Sequence, residues 1–161
     1  MHNDGGHKME LNSQDMTWAK ATMTKTGLFS ACSEAEIKIL MDNLEKQYYK
    51  QGSTILFQGE ISSKLYLVET GLVSINVRKG KDKLKVAELG PNSFFGEISL
   101  LTPRAATATV KAEADTEIIF LAGEAVQGIV KTDPAVADFI NKQIEERLKA
   151  QKQGQEESEQ K

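Results

Sequence analysis

Val73-Ser74-Ile75-Asn76-Val77-Arg78-Lys79-Gly80-Lys81-Asp82 alternates apolar and polar side chains as far as Lys79 and then meets turn residues. A period of two puts Val73, Ile75 and Val77 on one face of a strand and Ser74, Asn76 and Arg78 on the other, the pattern of a strand buried on one side. Lys79-Gly80-Lys81-Asp82 supplies the hairpin turn that sends the chain back. Similar short runs follow at 54–57, 65–68, 84–89, 106–111 and 117–121. Gly52, Gly59, Gly71, Gly80 and Gly90 punctuate them at spacings near the 8 to 12 residues typical of small sandwiches and barrels. An antiparallel barrel or jelly roll is expected.

Helices flank this β region. Residues 16–25 read as a short helix carrying Trp18, and Gly27 with Leu28 and Phe29 reads as a turn that packs inward. Ser33 with Glu36 is a capping-box signature, followed by Ile37, Leu40, Met41 and Leu44 at helical spacing. Asp133-Pro134 reads as an N-cap and first helical position, and Val136, Phe139, Ile140, Ile144 and Leu148 continue as an apolar stripe. That stripe covers the domain's own flank, a partner protein or a second copy of the chain. Residues 1–13 and 151–161 are polar and expected to be flexible and disordered, respectively, leaving 14–150 as one domain.

Composition narrows the chemistry. The length of 161 residues suits one domain, and 40% hydrophobic residues suit a globular core. Twenty basic against 23 acidic residues argue against a protein that lives by coating phosphate backbones, although a local basic patch is compatible with this balance. No run approaches a membrane span and the start lacks a signal-peptide core, so a cytoplasmic protein without membrane contact is expected. Cys32 is the only cysteine and reads as a packed small side chain. The histidines, His2 and His7, both fall in the N-terminal segment, so nucleophile–imidazole pairs and histidine metal sites are not expected in the body of the chain. No enzyme, metal or cofactor is expected.

The stretch that carries a function is Phe94-Phe95-Gly96-Glu97-Ile98-Ser99-Leu100-Leu101-Thr102-Pro103-Arg104-Ala105-Ala106-Thr107-Ala108-Thr109-Val110. A single helical turn starting at Gly96 or Glu97 would present uncapped amides, which attract anionic oxygens, and Gly96 has no Cβ to hold a ligand away from the backbone. Glu97 beside such a site makes sense if it accepts hydrogen bonds from hydroxyls on the same ligand. Its plain alternative is a cap on the turn.

Over about 28–148 the chain resembles the cyclic nucleotide-binding domain family of the catabolite activator protein, the regulatory subunits of cyclic-AMP-dependent kinase and the cyclic-nucleotide-gated channels. The resemblance rests on Gly52, Gly59, Gly71, Gly90 and Gly96, on Phe57-Gln58-Gly59-Glu60, and on Phe95-Gly96-Glu97-Ile98-Ser99-Leu100, which resembles the opening of the family's phosphate-binding cassette. It implies an eight-stranded antiparallel jelly-roll barrel with N-terminal helices, a short cassette helix and a C-terminal amphipathic helix. It also implies that Glu97 takes the ribose 2′-hydroxyl and that the amides of Ile98 and Ser99 take the cyclic phosphate of cyclic AMP or cyclic GMP.

One departure stands out. Aligning Thr107-Ala108-Thr109-Val110 with the family's strand puts Ala106 where members usually carry a phosphate-binding arginine, and Arg104 comes two positions early. Either Arg104 takes the role through a shifted strand, which preserves its face, or the role is empty. A lost charge-assisted hydrogen bond of roughly 1.5–3 kcal/mol would lower affinity by about one to two decades. Thr107 is placed to offset part of that loss with its hydroxyl.

The expected function is therefore a non-enzymatic sensor of a cyclic mononucleotide, most readily cyclic AMP, that relays ligand state to a separate partner through its flanking helices. No output domain is read in the chain, so the output is expected in another protein or in a second copy. The alternative is a barrel that has lost nucleotide binding and acts as a protein-interaction scaffold. Nucleic acid is not an expected partner, because no DNA-reading helix pair follows the barrel.

Overall fold

The computed structural model describes residues 6–159, with side chains described for residues 6–151. In chain order the elements are β1 (Gly6–Met9), α1 (Ser13–Lys25), α2 (Glu34–Asp42), β2 (Leu44–Tyr49), β3 (Thr54–Leu56), β4 (Ile61–Ser62), β5 (Lys64–Thr70), β6 (Val73–Lys79), β7 (Asp82–Leu89), β8 (Phe94–Phe95), a 3-10 turn (Glu97–Ser99), β9 (Arg104–Ala105), β10 (Thr109–Ala112), β11 (Thr116–Ala122), α3 (Gly123–Thr132) and α4 (Pro134–Glu159). The protein is mainly β with four helices. The strands form a five-stranded sheet β1-β2-β11-β5-β8, a four-stranded sheet β3-β10-β6-β7 and a ribbon β4-β9, with every pair antiparallel. These sheets are not closed on one another, so of the eight-stranded antiparallel jelly-roll barrel expected from the sequence the structure shows the mainly β, antiparallel class, as two sheets and a ribbon.

Burial explains the two kinds of strand pattern. Tyr66, Val68, Ile118 and Phe120 of the five-stranded sheet pack with Leu56, Val73, Val110 and Ala112 of the four-stranded sheet. On the opposite face, Leu65, Leu67, Ile119 and Leu121 pack under Ala19, Met23, Leu40, Val126 and Ile140 from the helices. A sheet covered on both faces needs continuous apolar strands such as Leu65-Tyr66-Leu67-Val68. The four-stranded sheet is covered on one face only where β3, β10 and the first part of β6 meet the five-stranded sheet. Strand β7, expected to be half-buried over 84–89, is exposed along nearly its whole length because no element among the described residues packs on its faces.

Several local expectations change. Gly6–Met9, within the segment expected to be flexible, pairs with Lys46–Tyr49 as an edge strand, while residues 1–5 lie outside the described residues. Helix α1 begins at Ser13, before the expected 16, because Asn12 and Asp15 form a reciprocal capping box at 2.8 and 3.0 Å. The capping box of Ser33 and Glu36 forms at the start of α2 as read. The tail expected to be disordered from 151 continues α4 to Glu159, in keeping with the helix propensity of Gln, Glu and Lys; 160 and 161 lie outside the described residues. Val136, Ile140 and Ile144 of α4 are buried in the core beneath the helices, so the apolar stripe covers the domain's own flank. Cys32 is half-buried, and burial first, then the Glu36 and Asp133 carboxylates, push its thiol up to about 11. Such a thiol is not a nucleophile at neutral pH.

Candidate functional site

The cassette begins where β8 ends. Gly96 has φ 86° and ψ 3°, a left-handed conformation that L side chains resist. A Cβ there would lie 2.4 Å from the Lys64 carbonyl oxygen and 3.0 Å from the Tyr66 ring. The close approach of β5 by itself requires a glycine here. The chain then forms the 3-10 turn Glu97–Ser99, closed by the Ser99 amide on the Gly96 carbonyl at 3.3 Å and the Leu100 amide on the Glu97 carbonyl at 3.4 Å. The Ser99 hydroxyl donates to the same Gly96 oxygen at 3.0 Å. The first-turn amides of Glu97 and Ile98 have no carbonyl behind them in the turn.

This turn is one wall of a cavity of about 460 Å³. Its apolar lining comes from Leu56, Ile75, Leu89, Phe94 and Val110 between the sheets, and from Leu148 of α4. Ser62, Glu97, Ser99, Arg104, Thr107 and Gln151 add a few polar groups. Size and lining are those of a small-molecule site: mostly apolar walls with sparse polar groups that orient a ligand. All the residues singled out from the sequence, Phe95, Gly96, Glu97, Ile98, Ser99, Arg104, Ala106 and Thr107, line this one cavity. Glu97 is held inward, with only 18% of its side chain exposed.

A model of the family described as "Cyclic nucleotide-binding domain" matches residues 46–133, more than half of the chain. The chain belongs to the cyclic nucleotide-binding domain family. It is 30% identical over 128 residues to the Cyclic AMP receptor protein of Thermus thermophilus, covering 79% of this chain and 59% of that protein. It is also 30% identical over 109 residues to the cAMP-dependent protein kinase regulatory subunit of Mycosarcoma maydis, covering 66% of this chain and 21% of that one. The chain thus spans less than two thirds of these relatives. A crystal structure of a cyclic nucleotide-binding domain from Methylobacillus flagellatus superimposes with a TM-score of 0.73 at 18% identity, over 93% of this chain and 85% of that one, a likeness of fold. The first of these relatives is named as a cyclic AMP receptor and the second as a regulatory subunit of a protein kinase. Among the described residues no helix is long and apolar enough to cross a membrane.

The arginine question takes a definite form in this family member. The strand expected at 106–111 starts only at Thr109, because residues 104–106 are held by a different element: β9 pairs Arg104 with Ser62 and Ala105 with Ile61 on β4. The Ala106 amide donates to the Glu60 carbonyl and its own carbonyl accepts from Gly59, both at 2.8 Å. Ala106 thus serves the cavity wall through its backbone, and its side chain packs against the core between the sheets. Arg104 and Thr107 are exposed at the cavity's edge.

Sequence reasoning missed Arg147. From α4 its Nη1 lies 4.0 Å from Glu97 Oε1, its Nη2 donates to the Thr26 carbonyl at the end of α1, and its guanidinium sits 5.7 Å from the Phe94 ring centroid. A single cation therefore touches both flanking helices and the cassette. Its only sequence signal is a charge between Ile144 and Leu148 on the otherwise apolar stripe.

Proposed function

We propose that the chain is a non-enzymatic cyclic nucleotide sensor, with cyclic AMP as its ligand, which passes ligand state to a partner through α1 and α4. The observation that carries this reading is Glu97, held inward in a mostly apolar cavity beside first-turn amides that have no backbone partner among the described residues. Ribose hydroxyls donate to the Glu97 carboxylate, the cyclic phosphate takes the amides of Glu97 and Ile98, and Arg104 turns inward from β9 to meet its charge, with Thr107 as a hydroxyl donor. The Ser99 amide shares its donor between Gly96 and the phosphate. No cofactor enters. The relay follows from Arg147: a ligand that engages Glu97 competes with the contact by which α4 and α1 are tied to the cassette.

Titration of the 15N-labelled protein with cyclic AMP and with cyclic GMP tests this reading. Saturable shifts at the amides of Gly96, Ile98 and Thr107, tighter for cyclic AMP, support it; no saturable shift for either nucleotide overturns it. Ala106 in the arginine slot favours a second reading, a scaffold that has lost nucleotide binding. The same null titration, with the fold intact, is what that reading expects.

A further inference from the structure

The four-stranded sheet has a second face, turned away from the cyclic nucleotide cavity. Ile75 and Val110 are paired in register and face inward, whereas Asn76 pairs with Thr109 and Lys111 with Ser74 on the outer face. A groove of about 490 Å³ runs across that outer face. Its charged lining is Arg78, Lys83 and Lys111, and no carboxylate lines it.

Two features make this face electrostatically incomplete. Arg78 and Lys83 stand directly opposite each other across β6 and β7, an arrangement in which like charges destabilise the pair. None of the three cations forms an ion pair among the described residues, while the neighbouring acids Glu88 and Glu113 are taken by Lys85 at 3.2 and 3.6 Å. This occurs in a chain whose formal charge is −3, so the unbalanced positive charge is local.

The groove is also built. The Gln58 amide donates to the Thr109 hydroxyl at 2.9 Å, and the Gln58 side-chain oxygen accepts from the Arg78 amide at 2.8 Å. These two bonds staple the turn after β3 across β10 and β6 as a wall. Thr109, having accepted through its oxygen, keeps its hydroxyl proton for an acceptor in the groove.

We propose that this outer face is a second binding site, for an elongated polyphosphate anion, held by Arg78 and Lys83 at one end and by Lys111 at the other. The length follows from register. Lys111 lies opposite Ser74, four residues along β6 from Arg78, which at the strand rise separates the two charged ends by roughly 13 Å of backbone. One phosphate reaches one end; a chain of phosphates reaches both.

The test titrates the 15N-labelled full chain with inorganic tripolyphosphate and, separately, with orthophosphate. The expected result is saturable shifts at Asn76, Arg78, Lys83, Thr109 and Lys111, weakening as ionic strength rises to ~0.15 M. The paired substitution Arg78→Gln with Lys83→Gln weakens both anions about 10-fold or more, whereas Lys111→Gln weakens tripolyphosphate alone. Cyclic AMP added to saturation leaves the tripolyphosphate shifts in place. The proposal is overturned by the absence of saturable shifts at low salt, by equal affinity in the paired variant, or by displacement with cyclic AMP. The last result would place the anion in the inter-sheet cavity.

Discussion

Arg147 Nη1 on α4 lies 4.0 Å from Glu97 Oε1 in the cassette turn, and the same guanidinium donates to the Thr26 carbonyl at the end of α1. Two helices far apart in sequence therefore meet the cavity through one side chain. Arg147→Gln removes the charge and the fork while retaining most of the stem. Because the pair is partly solvated, the expected cost is modest, about 1 kcal/mol in chemical denaturation. The diagnostic effect is elsewhere: cyclic AMP, by displacing Arg147 from Glu97, speeds hydrogen exchange in α4 of the wild type and changes it little in the variant. Equal responses of α4 in both proteins would contradict the relay.

Gly96→Ala tests the cassette's backbone. The left-handed conformation alone costs an alanine roughly 1–2 kcal/mol, and a Cβ 2.4 Å from the Lys64 carbonyl requires backbone movement as well. A loss of more than about 2 kcal/mol in urea denaturation is expected, and a loss below that would show that β5 yields easily.

A buried charge cluster fixes α1 to the five-stranded sheet and sets a pH dependence. Lys46 Nζ on β2 lies 3.1 Å from Asp15 of α1, 3.0 Å from Glu69 of β5 and 3.7 Å from Glu117 of β11. Burial alone would raise the Asp15 carboxyl, but its hydrogen bonds with Glu69, the Asn12 amide and Lys46 outweigh burial and hold it below 3.8. Burial, and then the hydrogen bond with Asp15, push Glu69 above 4.5. The signs differ. Asp15 contributes stability that is present at neutral pH and lost as pH falls through its lowered value. Glu69 takes a proton more readily when folded, so stability is gained as pH falls from neutral through its raised value. Stability is expected to peak on the acid side of neutral, between the two. Denaturation curves across pH should show that peak in the wild type and lose the rise in Glu69→Gln; parallel profiles would contradict the assignment. Lys46→Met, which strands the carboxylates, should cost about 3–5 kcal/mol at neutral pH.

Trp18, the chain's single tryptophan, reports on α1 directly, because its Nε1 donates to Asn92 Oδ1 at 2.8 Å in the turn before β8. Asn92 has φ 73°, so Asn92→Gly removes the acceptor without straining the backbone. Its emission spectrum should shift relative to the wild type, and an unchanged spectrum would show that the contact is not populated in solution.

The sequence made the half-covered sheet legible, since β6 alternates and its turn residues are strong hairpin formers. It also marked the turn that opens at Gly96 and Glu97, because a glycine suited to positive φ before a short polar turn is a signal carried by adjacent residues. Other features depend on distant partners. Strand β2, Leu44–Tyr49, was hidden because its buried Lys46 breaks the apolar pattern, and that lysine is tolerable only with carboxylates from α1, β5 and β11. The ribbon β4-β9 has two residues per strand, too few to show a period, and its pairing is what displaced the expected strand start from 106 to Thr109. Helix α3 went unread although Val126 and Ile129 are buried, because Gly123 and Gly128 interrupt the pattern. Arg147 was not singled out, because its partners, Glu97 and the Thr26 carbonyl, lie far from it in sequence.

Isothermal titration of cyclic AMP into the wild type and into Glu97→Ala tests the central claim most directly. The account predicts one site per chain in the wild type and an affinity lower by about 10-fold or more in the variant, the effect of losing a charge-assisted hydrogen bond. Equal affinities, or no binding heat in the wild type at millimolar nucleotide, would contradict it.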